Sequence, residues 1–173
     1  TNNTFDGIRG NNQGRCIYLI INSNCLTLNN NTFKNCPVGG ILVKVIFLEE
    51  TNSFTIRQNS FIANAFSGYF DSSVGSTPQI WIQNTNSNSY HLKIEIIFDE
   101  CYFDCNNNSK SGGGLLYGNN KYIANTKLIL NNCEFNNNNA TVRGGALVIQ
   151  VYQGCEINGC KFYNNKSEKG CGA

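Results

Sequence analysis

The chain has 173 residues, a net charge of +2 and only 14% charged residues, which gives enough length for one domain with a sizeable core. There is no basic stripe for nucleic acid and no acidic solvating tail, and the best apolar runs, CIYLII and ILVKVIFL, are too short to span a bilayer. Asn is far above its usual share, beside 17 Gly, 2 Pro and no Met, so the chain needs many turns, while 40% hydrophobic residues in β-branched and aromatic clusters argue against disorder.

Taken in order, the sequence repeats one sentence. Phe5 marks a degenerate first copy, and Phe33, Phe61, Phe103, Phe135 and Phe162 anchor the rest, at spacings of 28, 28, 42, 32 and 27 residues. A period near 28 with one long copy is the mark of stacked repeats. Seven and five residues before the anchors stand Leu26 and Leu28, Phe54 and Ile56, Ile96 and Phe98, Leu128 and Leu130, then Cys155 and Ile157. That period-two apolar spacing predicts a short strand with one buried face. Asn29, Arg57, Asp99, Asn131 and Asn158 form a turn column four before the anchor, and Asn31, Asn59, Cys101, Cys133 and Cys160 a column two before. Three after come Cys36, Asn64, Asn106, Asn138 and Asn165. A Gly or Gly pair follows, and then, in the complete copies, a second apolar run.

Each copy therefore predicts about three short strands joined by tight turns, with no helix. The expected fold is all-β: a right-handed parallel β-helix of five to six coils, one domain over 1–173, with neighbouring coils at roughly the 4.8 Å strand spacing. An antiparallel sandwich would not place the same residues at the same phase in every copy. The long interval carries insertions near 71–79 and 83–91, with Ile80-Trp81-Ile82 returning as the post-glycine strand. Surface loops are the plain reading of both; a binding face carrying Asp71, Trp81, Tyr90 and His91 is the functional one, since insertions in repeat folds collect on one face. The chain begins within one unit and stops where a further strand is due, so either a longer native solenoid or coils that continue through a partner are expected.

The steps Phe61–Asn64, Phe103–Asn106, Phe135–Asn138 and Phe162–Asn165 alternate with GGIL at Gly39–Leu42, GGLL at Gly113–Leu116 and GGAL at Gly144–Leu147. This alternation, over nearly the whole chain, resembles the repeats of the polymorphic outer membrane proteins of chlamydiae, and similar repeats in surface proteins of some protists. The resemblance implies a β-helical ectodomain serving adhesion or surface structure. Cys36 in place of Asn, and the lone Gly68 of the second copy, depart from its pattern.

Nine Cys beside the single His91 suggest an oxidising, extracellular setting. Cys101, Cys133 and Cys160 share one inward column, which allows either one disulfide between neighbouring coils or a ladder of buried thiols. Cys16, Cys25, Cys36, Cys105, Cys155 and Cys171 lie toward the ends, where disulfides would pin the coils. Sequons fall at Asn2, Asn30, Asn107, Asn139 and Asn165. A catalytic Cys lacks an activating partner. The acids Glu95, Asp99, Glu100, Asp104, Glu134 and Glu156 are scattered: Asp99 shares a column with Arg57, and Glu134 with Lys161, as solvated cross-coil pairs. The Gly pairs precede strands, so they make tight corners and not phosphate cradles.

The expected function is a non-enzymatic structural or adhesive protein of an extracellular or cell surface. No cofactor or metal is expected. Partners would be further copies, other surface or filament proteins, or glycans, with no nucleic acid and no membrane span. The alternative is a carbohydrate-active β-helix enzyme, which would need clustered acids on one outer face.

Overall fold

The computed structural model describes residues 1–9, 17–21, 25–36, 41–45, 51–66, 79–82, 93–108, 114–119, 125–149 and 154–172. Among these the chain is all β, with twenty strands in four parallel sheets and no helix. The apolar pairs upstream of the anchors form the first sheet: Cys25–Asn29, Thr51–Arg57, Lys93–Asp99, Asn125–Asn131 and Gly154–Asn158. Its register is the one the columns require. Leu26 lies beside Phe54, Phe54 beside Ile96, Ile96 beside Leu128 and Leu128 beside Cys155.

The anchors make the second sheet, six strands of three residues each, Thr4–Asp6, Thr32–Lys34, Ser60–Ile62, Tyr102–Asp104, Glu134–Asn136 and Lys161–Tyr163. Here Phe5, Phe33, Phe61, Phe103, Phe135 and Phe162 stack in one run, with successive ring centroids 4.8, 5.2, 5.1, 4.4 and 5.0 Å apart and no two neighbours tilted by more than 9°. Parallel rings at this separation have the geometry of stacked aromatic pairs. The third sheet is shorter still: Ala65–Phe66, Asn107–Asn108, Asn139–Ala140 and Lys166–Ser167. The fourth holds Ile17–Ile21, Ile41–Val45, Gln79–Ile82, Leu115–Asn119 and Leu147–Ile149. A copy such as 93–119 thus contributes four strands, not about three. The extra one is two residues long and is hidden in an Asn run, where no apolar alternation can announce it.

Ten non-glycine residues in the described chain have positive φ, and all sit in two columns. Three before the anchors stand Asn2, Asn30, Gln58, Glu100 and Asn132, with Gly159 completing the set; two after stand Asn35, Ala63, Cys105, Asn137 and Asn164, with Gly7. Each is a one-residue left-handed corner, the conformation that Asn and Gly adopt at least cost. The corner N–H joins the copies as well: Asn30 N, Gln58 N, Glu100 N and Asn132 N donate to the carbonyls of Arg57, Asp99, Asn131 and Asn158 at 2.8 to 3.0 Å.

The core is one cluster running through the stack, from Phe33 through Phe54, Ile56, Phe61, Ile96, Phe98 and Phe103 to Leu128, Leu130, Phe135 and Ala146. Gly144 turns the chain with φ +55°, and a Cβ on Gly145 would run into the carbonyl of Lys166. This Gly pair therefore makes the tight corner and close approach its sequence implies. One core expectation does not hold. Cys155 and Ile157 share the column of buried apolar pairs but are exposed, Ile157 at 47%. Their strand is paired on one side only, at the edge of its sheet.

Candidate functional site

The polar side chains that the fold gathers lie in two inward columns on either side of the phenylalanine stack. A strand alternates its faces, so a residue three after a buried Phe should point outward. The left-handed residue between them resets the phase, and Asn64, Asn106 and Asn138 turn in and are buried.

There they form a ladder. Asn64 Nδ2 donates to Asn106 Oδ1 at 3.1 Å and to the Phe33 carbonyl at 3.0 Å, while Asn64 N donates to the same Asn106 Oδ1 at 3.1 Å. Asn106 repeats this with Asn138 Oδ1 and Phe61 O, and Asn138 repeats it with Asn165 Oδ1 and Phe103 O. Asn106 and Asn138 therefore each accept two hydrogen bonds and donate two, which is the full capacity of the amide. Satisfied in this way, a buried amide escapes the desolvation penalty it would otherwise carry. Cys36 ends the ladder and is buried, its N–H donating to Asn64 Oδ1 at 3.1 Å.

The second column, two before the anchor, changes chemistry midway. Asn3 Nδ2 donates to Asn31 Oδ1 at 3.1 Å, and Asn31 Nδ2 to Asn59 Oδ1 at 2.9 Å. Asn59 Nδ2 then reaches the carbonyls of Leu28 at 2.7 Å and Arg57 at 2.9 Å. Cys101 occupies the next rung and directs Sγ at the matching carbonyls, Ile56 at 3.2 Å and Asp99 at 3.5 Å. Cys133 does the same with Phe98 and Asn131, and Cys160 with Leu130 and Asn158. Cys can follow Asn in one column because both are small and both offer a donor to the same backbone acceptors.

Of the two readings of this column, the structure has the ladder of thiols. Cys101, Cys133 and Cys160 are free, so the one disulfide the column allowed is not formed; Cys105, Cys155 and Cys171 are free as well, so the end staples expected at these three are not formed, while Cys36 is not one of the free thiols. The hydrogen bond with Cys101, and burial, hold the Cys133 thiol far above the ordinary range. Burial and the neighbouring Cys133 raise Cys160 as well. Partial burial and the Asp104 carboxylate, 3.4 Å from its sulfur, raise Cys105, and burial, Cys160 and Glu156 raise Cys155. Cys101 alone goes the other way: burial raises it, but the hydrogen bonds to Cys133 and to the Asn59 and Asp99 main chain leave it lowered; it is buried, where a nucleophilic Cys must be partly exposed.

The charged groups stay outside. Arg57 Nε meets Asp99 at 3.1 Å and Arg57 Nη2 meets Glu100 at 3.7 Å, so the pair read from the columns is present. Glu134 and Lys161 are register neighbours, but the ion pair formed beside them is Lys127 with Glu156, at 2.6 Å, and it raises the Lys127 pKa. Asp6 pairs with Lys34 at 3.2 Å and accepts from Asn35 Nδ2 at 2.9 Å; the Asn35 hydrogen bond, then Lys34, lower its pKa. Among the described residues no three His, Cys, Asp or Glu side chains converge in metal-binding geometry, and no helix is long and apolar enough to cross a membrane.

The remaining predicted positions separate clearly. Asn2, Asn30 and Asn107 are exposed, and Asn139 and Asn165 are half-buried. Trp81 lies within the strand Gln79–Ile82, which pairs with Ile41–Val45 and Leu115–Asn119 as the returning strand should, and Cys25 begins its strand. Cys16, Asp71, Tyr90 and His91 lie outside the described residues, as do nearly all of 71–79 and all of 83–91. The columns named the right side chains but missed that Asn64, Asn106 and Asn138 face inward; the signal available was the Asn, Ala or Cys at the corner before each. No family model, curated protein or solved structure matches this chain.

Proposed function

We propose that the four parallel sheets wind into a right-handed parallel β-helix, and that the protein is a non-enzymatic structural or adhesive component of an extracellular or cell surface. The observation that carries this reading is how the reactive side chains are used. Buried amides bond one another, buried thiols bond backbone carbonyls, and the acids that pair on the outer face are tied to cations, Asp99 and Glu100 both to Arg57, Asp6 to Lys34 and Glu156 to Lys127. A glycosidase or lyase needs two or more carboxylates held together at a substrate, with a proton to give or take. Beside these charges the described outer positions carry Thr27, Thr55, Ser60, Tyr102 and Asn136 among Ile62, Ile97 and Ile129, a mixed surface repeated at one strand spacing and suited to shallow contacts spread over many copies. Its partners would be further copies of the chain, other surface proteins or glycans.

Incubation with acidic and neutral polysaccharides, together with binding to immobilised polysaccharide and immobilised protein, tests the reading. It expects saturable binding without turnover, unchanged in Asp99→Asn. Catalytic turnover that disappears in Asp99→Asn or Glu100→Gln would overturn it.

A further inference from the structure

The five sequons fall in three columns, and the columns differ in what they expose. Asn2 and Asn30 occupy the corner three before the anchor, each with positive φ and an exposed side chain. Asn107 and Asn139 are register neighbours on the short third sheet, with Asn107 exposed and Asn139 Nδ2 only loosely placed, 3.4 Å from Asn107 Oδ1. Asn165 belongs to the inner ladder. Its Nδ2 donates to the Phe135 carbonyl at 3.0 Å, and its Oδ1 accepts from Asn138 Nδ2 at 2.9 Å and Asn138 N at 3.0 Å. The hydroxyl that completes its sequon, Ser167 Oγ, is buried without a hydrogen-bond partner.

We infer that this chain is a two-column N-glycoprotein: the Asn2/Asn30 corner and the Asn107/Asn139 strand each carry N-linked glycan, and Asn165 stays bare. The chemistry is transfer of an oligosaccharide from a lipid-diphosphate carrier. Asn Nδ2 bonds to C1 of the first sugar, the bond from C1 to the diphosphate oxygen breaks, the lipid diphosphate leaves, and one Nδ2 proton passes to solvent. Glycan on the two outward columns projects away from the core and leaves the main-chain ladders intact. Glycan on Asn165 would hold its amide out of the rung and leave Asn138 N and Nδ2 without their acceptor, so such molecules drop out of the folded, secreted fraction. Members of a column stand one strand spacing apart, roughly 4.8 Å, closer than two sugar rings side by side prefer, so each column takes one glycan more readily than two.

The assignment rests on the extracellular reading, and the experiment separates the two by supplying a secretory leader in glycosylation-competent cells. Folded secreted protein is digested and occupancy of each sequon read by mass spectrometry. Glycan is expected in both outward columns and none at Asn165. Asn2→Gly with Asn30→Gly, which keeps the left-handed corners, should remove the first column's glycan. Asn107→Gln with Asn139→Gln should remove the second, and Ser167→Ala should change nothing. Occupied Asn165 in the folded fraction, or a bare outward column, overturns the assignment. The extracellular reading is tested apart from this, by locating the untagged protein in its own cells.

Discussion

At the residue scale the fold depends on what each side chain tolerates at a corner and on what each buried amide can reach. Ala63 is the anomaly among the corners: φ is +50° there, with no side-chain hydrogen bond to offset the clash that an L residue meets in this region. Ala63→Gly is therefore expected to stabilise the protein by about 1 kcal/mol, read as a raised urea midpoint with an unchanged slope. Gln58 and Glu100 occupy the other corner column with the same strain, but Gln58 Nε2 donates to Glu100 Oε2 at 2.6 Å, so replacing either one loses part of the gain. The inner amides carry the opposite sign. Asn106→Ala removes the acceptor of Asn64 N and Nδ2 and the donor to Asn138 Oδ1 and Phe61 O, all in buried surroundings. Its expected cost is about 3 kcal/mol, measured by the same denaturation. Asn165→Ala, on a half-buried rung with one neighbour, should cost distinctly less.

At the scale of the element, the strand sheets and the side-chain columns were not equally legible. The apolar pairs and the Phe anchors are visible because parallel stacking places like on like, so Phe33, Phe61, Phe103, Phe135 and Phe162 recur at one phase and pack ring on ring. The third sheet was not visible, because strands such as Asn107–Asn108 and Asn139–Ala140 are shorter than any alternation that could reveal them. The role of the Cys column was half visible. Its alignment with Asn31 and Asn59 is plain in the sequence, but only the carbonyls of Ile56, Phe98 and Leu130 show that the thiols replace amides as donors. A consequence for pH follows from these thiols. Cys133, through its hydrogen bond to Cys101 and its burial, and Cys160, Cys105 and Cys155, through burial first, are held above the ordinary value of 9.0, while Cys101 alone is lowered, its hydrogen bonds outweighing burial, so the balance of the shifts is upward. A raised folded pKa means that the folded chain keeps a proton which the unfolded chain releases. The resulting stability is complete below the ordinary thiol value and is lost progressively as pH rises above it toward the folded value. The urea midpoint should accordingly be flat through neutral pH and fall above about pH 9. Cys133→Ala should be less stable at neutral pH and lose less over the alkaline range; a wild-type midpoint that holds steady there would refute the protonated column.

At the scale of the whole molecule, nearly every long-range interaction joins a copy to the one before or after it. The stacked rings, the amide ladder, the corner hydrogen bonds and the parallel registers all connect nearest neighbours, and none needs a particular copy to be first or last. Stability should then be a sum of copy terms and interface terms, and a whole copy should be removable where a fraction of one is not. The registers define the cut. Asp104 lies beside Asn136 and Phe103 beside Phe135, so deleting residues 104–135 joins Phe103 directly to Asn136 at the same phase of the repeat. That deletion preserves both the Phe anchor and the ladder, with Asn138 taking the place of Asn106 beside Asn64. The shortened chain is expected to fold with unchanged β-sheet circular dichroism and a single unfolding transition at lower denaturant. Deleting only 104–119 would instead join Phe103 to Asn120, so that the strand Asn125–Asn131 arrives past the third sheet and Leu130 falls at the phase of Gly114, where a Cβ would run into the Ala146 carbonyl and the Phe135 ring. Such a chain should aggregate or remain unfolded. Equal behaviour of the two deletions would show that the copies are not interchangeable units, and that the order in the columns is local packing without a repeating architecture behind it.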